Sequence, residues 1–271
     1  MLLRRFAPFT TLACAAFATV VACSDDDPST GSTPVPDAGG GAETDAPVVV
    51  TSDTESKQSG KIIRAQTEDE PIPNATITIA GKTATTNAAG EYEIIVPRKT
   101  PYQMTVAAEG YYKLLEQEWI LEKETLERGN TNLLLTATAN LLAGLLPGRK
   151  TDKGLVVVKV NAEAPCASEE GSTLAIDPPG EAKVAYFSGS LPDSQQAAVK
   201  AGTTFSAAFY NVEVGVPLTI TVTSPSCAQR PFPIAVGDVT YTGVQKAEAG
   251  DALSYIRVFI RDPLAADAGA D

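Results

Sequence analysis

The sequence predicts an all-β protein with two β-sandwich domains in tandem, on three observations. From residue 60 onward, apolar and polar residues alternate with a period of two, the mark of strands with one face buried and one wet. Gly, Pro and Asn clusters punctuate these runs at short intervals. Third, the chain repeats itself weakly: Pro101–Val106 (PYQMTV) and Pro217–Val222 (PLTITV) match in phase, each preceded by a strand and a turn.

The chain begins with a positive segment, Met1–Arg5, and a mostly apolar stretch of 17 positions, Phe6–Ala22. That is short of the ~20 apolar residues a spanning helix needs. It ends Val20-Val21-Ala22-Cys23, which resembles the lipobox of bacterial lipoproteins, with Val in the first position where Leu is more usual. The resemblance implies that residues 1–22 are a signal peptide, that cleavage precedes Cys23, and that Cys23 carries lipid. Two or three acyl chains at ~0.8 kcal/mol per buried CH₂ hold a protein at a membrane, where one chain does not. Ser24 after the cysteine implies sorting to the outer membrane.

Residues 23–59 then read as a flexible acidic linker dominated by Ser, Thr, Asp, Gly and Pro, too poor in apolar surface to fold. As a coil, Ser24–Ser59 spans on the order of 30–35 Å. Asp25-Asp26-Asp27 lacks the alternating ligands and Gly of a calcium loop and reads as solvated charge.

The first sandwich is expected over residues 60–137. Ala75, Ile77 and Ile79 share a face, followed by a turn at Gly81-Lys82 and a strand at Thr83–Thr86. Asn87-Ala88-Ala89-Gly90 carries Asn and Gly where a type I turn favours them. Tyr92, Ile94 and Val96 alternate in the next strand, and Tyr102, Met104, Val106 and Ala108 in the one after Pro101. Gly60-Lys61-Ile62, Pro73–Ile77, Thr86-Asn87, Gly90–Ile94, Tyr102–Val106 and Glu109-Gly110-Tyr111 together resemble the carboxypeptidase regulatory-like domain. That resemblance implies a transthyretin-like β-sandwich of about seven strands without catalytic residues, and covers roughly residues 59–112. Residues 113–135 fit either a strand pair or a charged amphipathic helix; the family pattern implies strands, with Asn132–Leu135 closing the sandwich. Residues 138–153 form a connector, in which Leu141, Leu142, Leu145 and Leu146 have helical spacing ended by Pro147-Gly148.

The second sandwich, also expected to be transthyretin-like, occupies residues 154–262. It opens with the apolar run Leu155–Val160, suited to a strand buried on both faces. Further strands are expected at Ala182–Phe187, Thr203–Phe209, Leu218–Thr223 and Leu253–Ile260. Residues 263–271 are a polar tail. Cys166 and Cys227 remain after Cys14 and Cys23 are assigned to the leader and the lipid, and in an exported protein they are expected to form a disulfide.

Composition excludes several chemistries. The 271 residues hold 21 Lys and Arg against 33 Asp and Glu, a net −12. Loss of Arg4 and Arg5 with the leader leaves 19 against 33, or −14, with no basic cluster to neutralise a nucleic-acid backbone. There is no histidine, so His-dependent triads and His metal sites are impossible. No nucleophile elbow, phosphate loop or metal cluster occurs, and no cofactor is expected. Glu116, Glu118 and Glu122 are candidate paired carboxylates, but act as such only if burial splits their pKa values.

Tyr111, Tyr112 and Trp119 form the best candidate stacking platform for a sugar, against the ordinary reading of core aromatics. Lys61, Asn132 and Glu93 occupy positions from which a Lys–Asn isopeptide bond forms in related surface domains, against an ordinary edge-strand Lys. Loops at Asn87–Gly90 and Asn211–Gly215 are candidate recognition sites. The expected function is a non-catalytic, outer-membrane-anchored lipoprotein that binds or scaffolds an envelope protein or polysaccharide. A carbohydrate-binding or substrate-presenting module is the alternative.

Overall fold

The computed structural model describes residues 53–67 and 69–263. The leader, Cys23, the acidic segment through Ser52 and the tail beyond Pro263 lie outside the described residues.

The fold is all-β, as expected. Strand β1 spans Glu55–Arg64, β2 Thr76–Ile79, β3 Lys82–Thr85, β4 Glu91–Pro97 and β5 Met104–Ala107. The ambiguous stretch forms strands: β6 Lys113–Glu116, β7 Trp119–Leu121 and β8 Thr125–Leu133, followed by helix α1, Thr136–Gly144. Beyond it come β9 Gly154–Ala162, β10 Thr173–Asp177, β11 Lys183–Ser188, β12 Leu191–Asp193 and β13 Ala207–Val212. The chain ends with β14 Thr219–Thr223, β15 Ala228–Gln229, β16 Ile234–Val236, β17 Val239–Tyr241 and β18 Ala252–Arg261.

Strand β1 starts five residues inside the segment read as linker. Its inward positions are polar: Ser56 and Gln58 are fully buried, so hydropathy gives no sign of them. Ser56 Oγ donates to the Lys123 carbonyl, and Gln58 Nε2 donates to Tyr92 Oη at 3.0 Å. These bonds offset the cost of burying polar groups.

The backbone of the molecule is one ten-stranded sheet, ordered β12-β11-β13-β9-β18-β6-β5-β2-β3, with β15 on β18. Strand β18 pairs in parallel with both β9 and β6, so a single ladder joins the two halves. In-register partners share a face: Leu253 with Leu114 and Tyr255 with Glu116 on one side, Ser254 with Leu115 and Val156 on the other.

The two principal cores therefore lie on opposite faces of the same sheet. On one face, the three-stranded sheet β4-β1-β8 encloses Ile62, Ile77, Ile79, Ile94, Met104, Leu114, Trp119 and Leu133. On the other face, the β10-β14 pair encloses Val156, Val158, Phe209, Ile220, Ile256 and Val258. A smaller cluster, Leu146, Leu155, Val157, Phe187 and Tyr210, shares the first face.

The hairpin β16–β17 comes from the C-terminal half of the chain but pairs with β7, Tyr241 opposite Trp119. Ile234, Tyr241 and Phe259 thereby complete the first core. Its two-residue turn, Gly237-Asp238, has positive φ at Gly237 alone, the type II′ pattern that matches strand twist.

Sequence alternation located the strands that carry apolar faces. The segment expected at Thr203–Phe209 becomes strand only from Ala207, while β10, β12, β15, β16 and β17 were not anticipated. In the connector, Leu146 is buried but Leu141 and Leu145 are 70% and 45% exposed. Within α1 the buried positions are Ala139 and Ala143, four apart on one face; Leu145 and Leu146 lie just past its end.

Candidate functional site

Strand β8 lies at the open edge of its sheet, paired only with β1, in parallel. Between Ser59 and Lys61 its register advances by one extra residue, since Glu127 faces Ser59 and Asn130 faces Lys61. The extra residue is accommodated at Gly129, whose φ of 48° favours glycine. The bulge keeps Leu126 and Arg128 before it, and Thr131 and Leu133 after it, on the more buried side.

The far side of β8 borders a cleft of about 760 Å³. Its floor is the strip of the large sheet between the two clusters of the first face: buried Leu114, half-buried Leu253 and Tyr255, and exposed Arg257. Phe205, edge-on to Tyr255 at 6.1 Å, stands on the side away from β8. Val239 and Tyr241 close one end, and Tyr112 and Leu142 line the other.

Two guanidinium groups line the cleft. Arg128 pairs with Glu116 at 2.6 Å, both side chains about one-eighth exposed at 13% and 12%, and its Cζ lies 3.9 Å from the Trp119 ring centroid. Arg257 lies over Tyr255 at 5.6 Å and donates to Tyr241 Oη at 3.5 Å. Arg257 forms no close ion pair among the described residues, although the Glu116 carboxylate, held by Arg128, is near enough to act on it. Burial pushes the Tyr255 phenol up, with Arg257 opposing, so this ring stays neutral and can donate a hydrogen bond at physiological pH.

The structure separates the three aromatics singled out from sequence. Trp119 is 1% exposed, edge-on to Tyr102 at 5.9 Å and Tyr241 at 6.4 Å, so it offers no open face to a sugar. Tyr112 is 2% exposed, and its hydroxyl donates to Asn140 Oδ1 at 2.6 Å. Tyr111 is half-buried against the first core, bridged to Leu135.

Cys166 and Cys227 form the expected disulfide. Glu93 pairs with Lys57 at 2.5 Å, and Lys61 stands opposite Asn130, not Asn132. The three acids of β6 and β7 diverge: Glu116 holds Arg128 and Glu118 accepts from Thr242 Oγ1 at 2.9 Å. Glu122 contributes only its carbonyl, to Arg98 Nε.

The first candidate loop is held by its own turn chemistry, and the second by contacts with the connector. Asn87 Oδ1 accepts from the amides of Ala89 and Glu91, each at 2.9 Å. Asn211, 3% exposed, fastens the connector through Lys150 N at 2.7 Å and the Gly148 carbonyl at 3.0 Å. Among the described residues, no group of acids and cysteines is placed to hold a metal ion. No helix among them is long and apolar enough to cross a membrane.

The cleft itself was not foreseen, because its walls come from residues far apart in sequence. The one signal was Gly129, an isolated glycine inside a strand, which points to a bulge.

Comparison with known proteins identifies one family: residues 59–133 match the carboxypeptidase regulatory-like domain. That stretch is therefore a regulatory-like domain, and it contains the β8 wall of the cleft. No curated protein matches the chain. Among solved structures, the TIE protein of Bacillus anthracis aligns over 77% of this chain and 34% of its own, at 12% identity and a TM-score of 0.25. The streptococcal ancillary pilin aligns over 77% and 63%, at 8% identity and a TM-score of 0.24. The shaft pilin SpaA of Lactobacillus rhamnosus GG aligns over 77% and 97%, at 9% identity and a TM-score of 0.21. The chain thus spans about a third of the first of these proteins and under two thirds of the second.

Proposed function

We propose that this protein is a non-catalytic lipoprotein of the bacterial cell envelope. It is anchored to the outer membrane through acyl chains on Cys23 and presents a β-sheet body that binds or scaffolds an envelope partner. The observation that carries the reading is the continuous ten-stranded sheet with a core on each face. Such a body resists bending between its halves, because separating them means breaking the β18–β6 ladder and stripping Ile234, Tyr241 and Phe259 from the first core.

The regulatory-like domain at residues 59–133 fits this role. Function on such a fold lies in a site grafted onto it, and the β8 cleft is a candidate for it, with a volume in the range of ligand sites. Nothing favours the carbohydrate-binding alternative comparably, since Trp119 and Tyr112 are buried.

Anchoring is tested by expressing wild type and Cys23→Ala in a Gram-negative host and fractionating the cells. Wild type is expected in the outer-membrane fraction, labelled by radioactive palmitate, and the variant in the soluble fraction without label. Membrane retention of an unlabelled Cys23→Ala protein would overturn the anchor.

A further inference from the structure

Strand β8 has a polar edge with nothing on it. Lys57 N–H donates to the Glu124 carbonyl and Ala65 N–H to the Leu133 carbonyl, each at 2.8 Å. Alternate residues of a parallel strand face the same neighbour. The peptide groups of Thr125 and Glu127 before the bulge, and of Asn130 and Asn132 after it, therefore point away from β1, and Glu127, Asn130 and Asn132 line the cleft. They take no hydrogen-bond partner among the described residues. Exposed edges are often guarded by Lys, Pro or a bulge; β8, TLERGNTNL, has neither Lys nor Pro and carries only the bulge at Gly129 and the charges of Glu127 and Arg128. Beside this edge runs a half-buried apolar floor, Leu253, Tyr255 and Phe205, which ends at Arg257.

We propose that the cleft captures an extended peptide segment of a partner protein, added to β8 as a further strand of the β4-β1-β8 sheet. This deepens the binding reading above and rests on it. The chemistry of the partner follows from the walls. Its backbone satisfies the four outward-facing β8 residues, as only another extended chain does. Side chains on one face, spaced two residues apart, are β-branched or aromatic and lie on Tyr255 and Phe205. A carboxylate of the segment reaches Arg257, the lining guanidinium that makes no close ion pair among the described residues. A second copy joining through its own β8 is disfavoured, because the edge borders a cleft already floored by Leu253 and Tyr255 of this chain's own β18.

The test uses the full chain in mild detergent, immobilised against a display library of random linear heptapeptides. The best peptide is resynthesised and titrated by fluorescence polarisation. The expected peptide alternates β-branched or aromatic residues and carries an acid. N-methylation of its alternate amides on one edge weakens binding by roughly tenfold or more, because two or more ladder bonds are lost. N-methylation on the opposite edge leaves binding intact. Glu127→Pro removes one cleft-facing donor while leaving the β1 ladder whole, and it too weakens binding. Arg257→Glu shifts the selected acid to Lys, a readout that does not depend on tolerating proline in β8.

Enrichment of no peptide, or binding indifferent both to N-methylation and to Arg257→Glu, would overturn the proposal. So would peptide binding that appears only once residues 24–52 are removed, which would assign the cleft to this chain's own Val48-Val49-Val50 run. None of these failures touches the anchoring experiment, so the two readings fail separately.

Discussion

Tyr241→Ala is the sharpest probe of how the two halves are joined. Tyr241 lies 120 residues beyond the end of β7, yet its ring is 6% exposed inside the first core. It stands edge-on to Trp119 at 6.4 Å and 6.2 Å from Phe259. Truncating a buried aromatic to Ala costs about 3–5 kcal/mol, and the two lost ring pairs, about 0.5–1.5 kcal/mol each, put Tyr241→Ala toward the upper end of that range. With a urea m-value near 3 kcal/mol/M, expected for a chain of this size, the midpoint falls by roughly 1–2 M. Trp119 is the only tryptophan, so its fluorescence reports on the first core while far-UV circular dichroism reports on the whole molecule. Wild type should show one transition by both probes, and Tyr241→Ala should move both together. A fluorescence transition that stays in place while the dichroism shifts would refute the shared core.

Further outcomes follow from the same geometry. Cys166 and Cys227 close a sequence separation of 61, for which chain entropy gives about 4 kcal/mol; the double Ala variant should lose stability of that order in urea, and an unchanged midpoint would sink the estimate. Glu116→Gln leaves Arg128 uncompensated in a site only 13% exposed, with an expected loss of about 2 kcal/mol. Glu116→Leu combined with Arg128→Met should recover most of it, and a double variant no better than the single would contradict the pairing. Burial pushes Tyr102 from 10.0 to about 12. Its contribution is therefore complete below pH 10 and is lost as pH rises through about 12, because the unfolded chain ionises first. That loss amounts to roughly 2–3 kcal/mol, and Tyr102→Phe should flatten the decline in urea midpoint between pH 9 and 11.

How much of this was legible depends on where the information sits. Strands such as β2, β4 and β18 announce themselves, because residues two apart must share a face and one face must be dry. The disulfide followed from counting the cysteines that the proposed leader and lipid site leave over. The regulatory-like domain was visible in its glycine and aromatic spacing. By contrast, the first half of β1 was hidden because Ser56 and Gln58 take the inward positions, where hydrogen bonds replace hydrophobicity. The period of β8 was broken by the bulge at Gly129, so its stretch read equally as strand or helix. Trp119 looked like a platform and became core, because its neighbours Tyr102 and Tyr241 arrive from other strands.

The sequence by itself determined that the chain is all-β and acidic, without histidine chemistry, with one disulfide-forming pair. These properties are written in composition and in contacts between near neighbours along the chain. Only the tertiary structure decided that β18 lies between β6 and β9, that the hairpin β16–β17 completes the first core, and that β8 keeps an open edge above Tyr255 and Arg257. Strand order is set by which faces complete one another's burial across more than a hundred residues, and a period of two says which face is dry without saying what dries it.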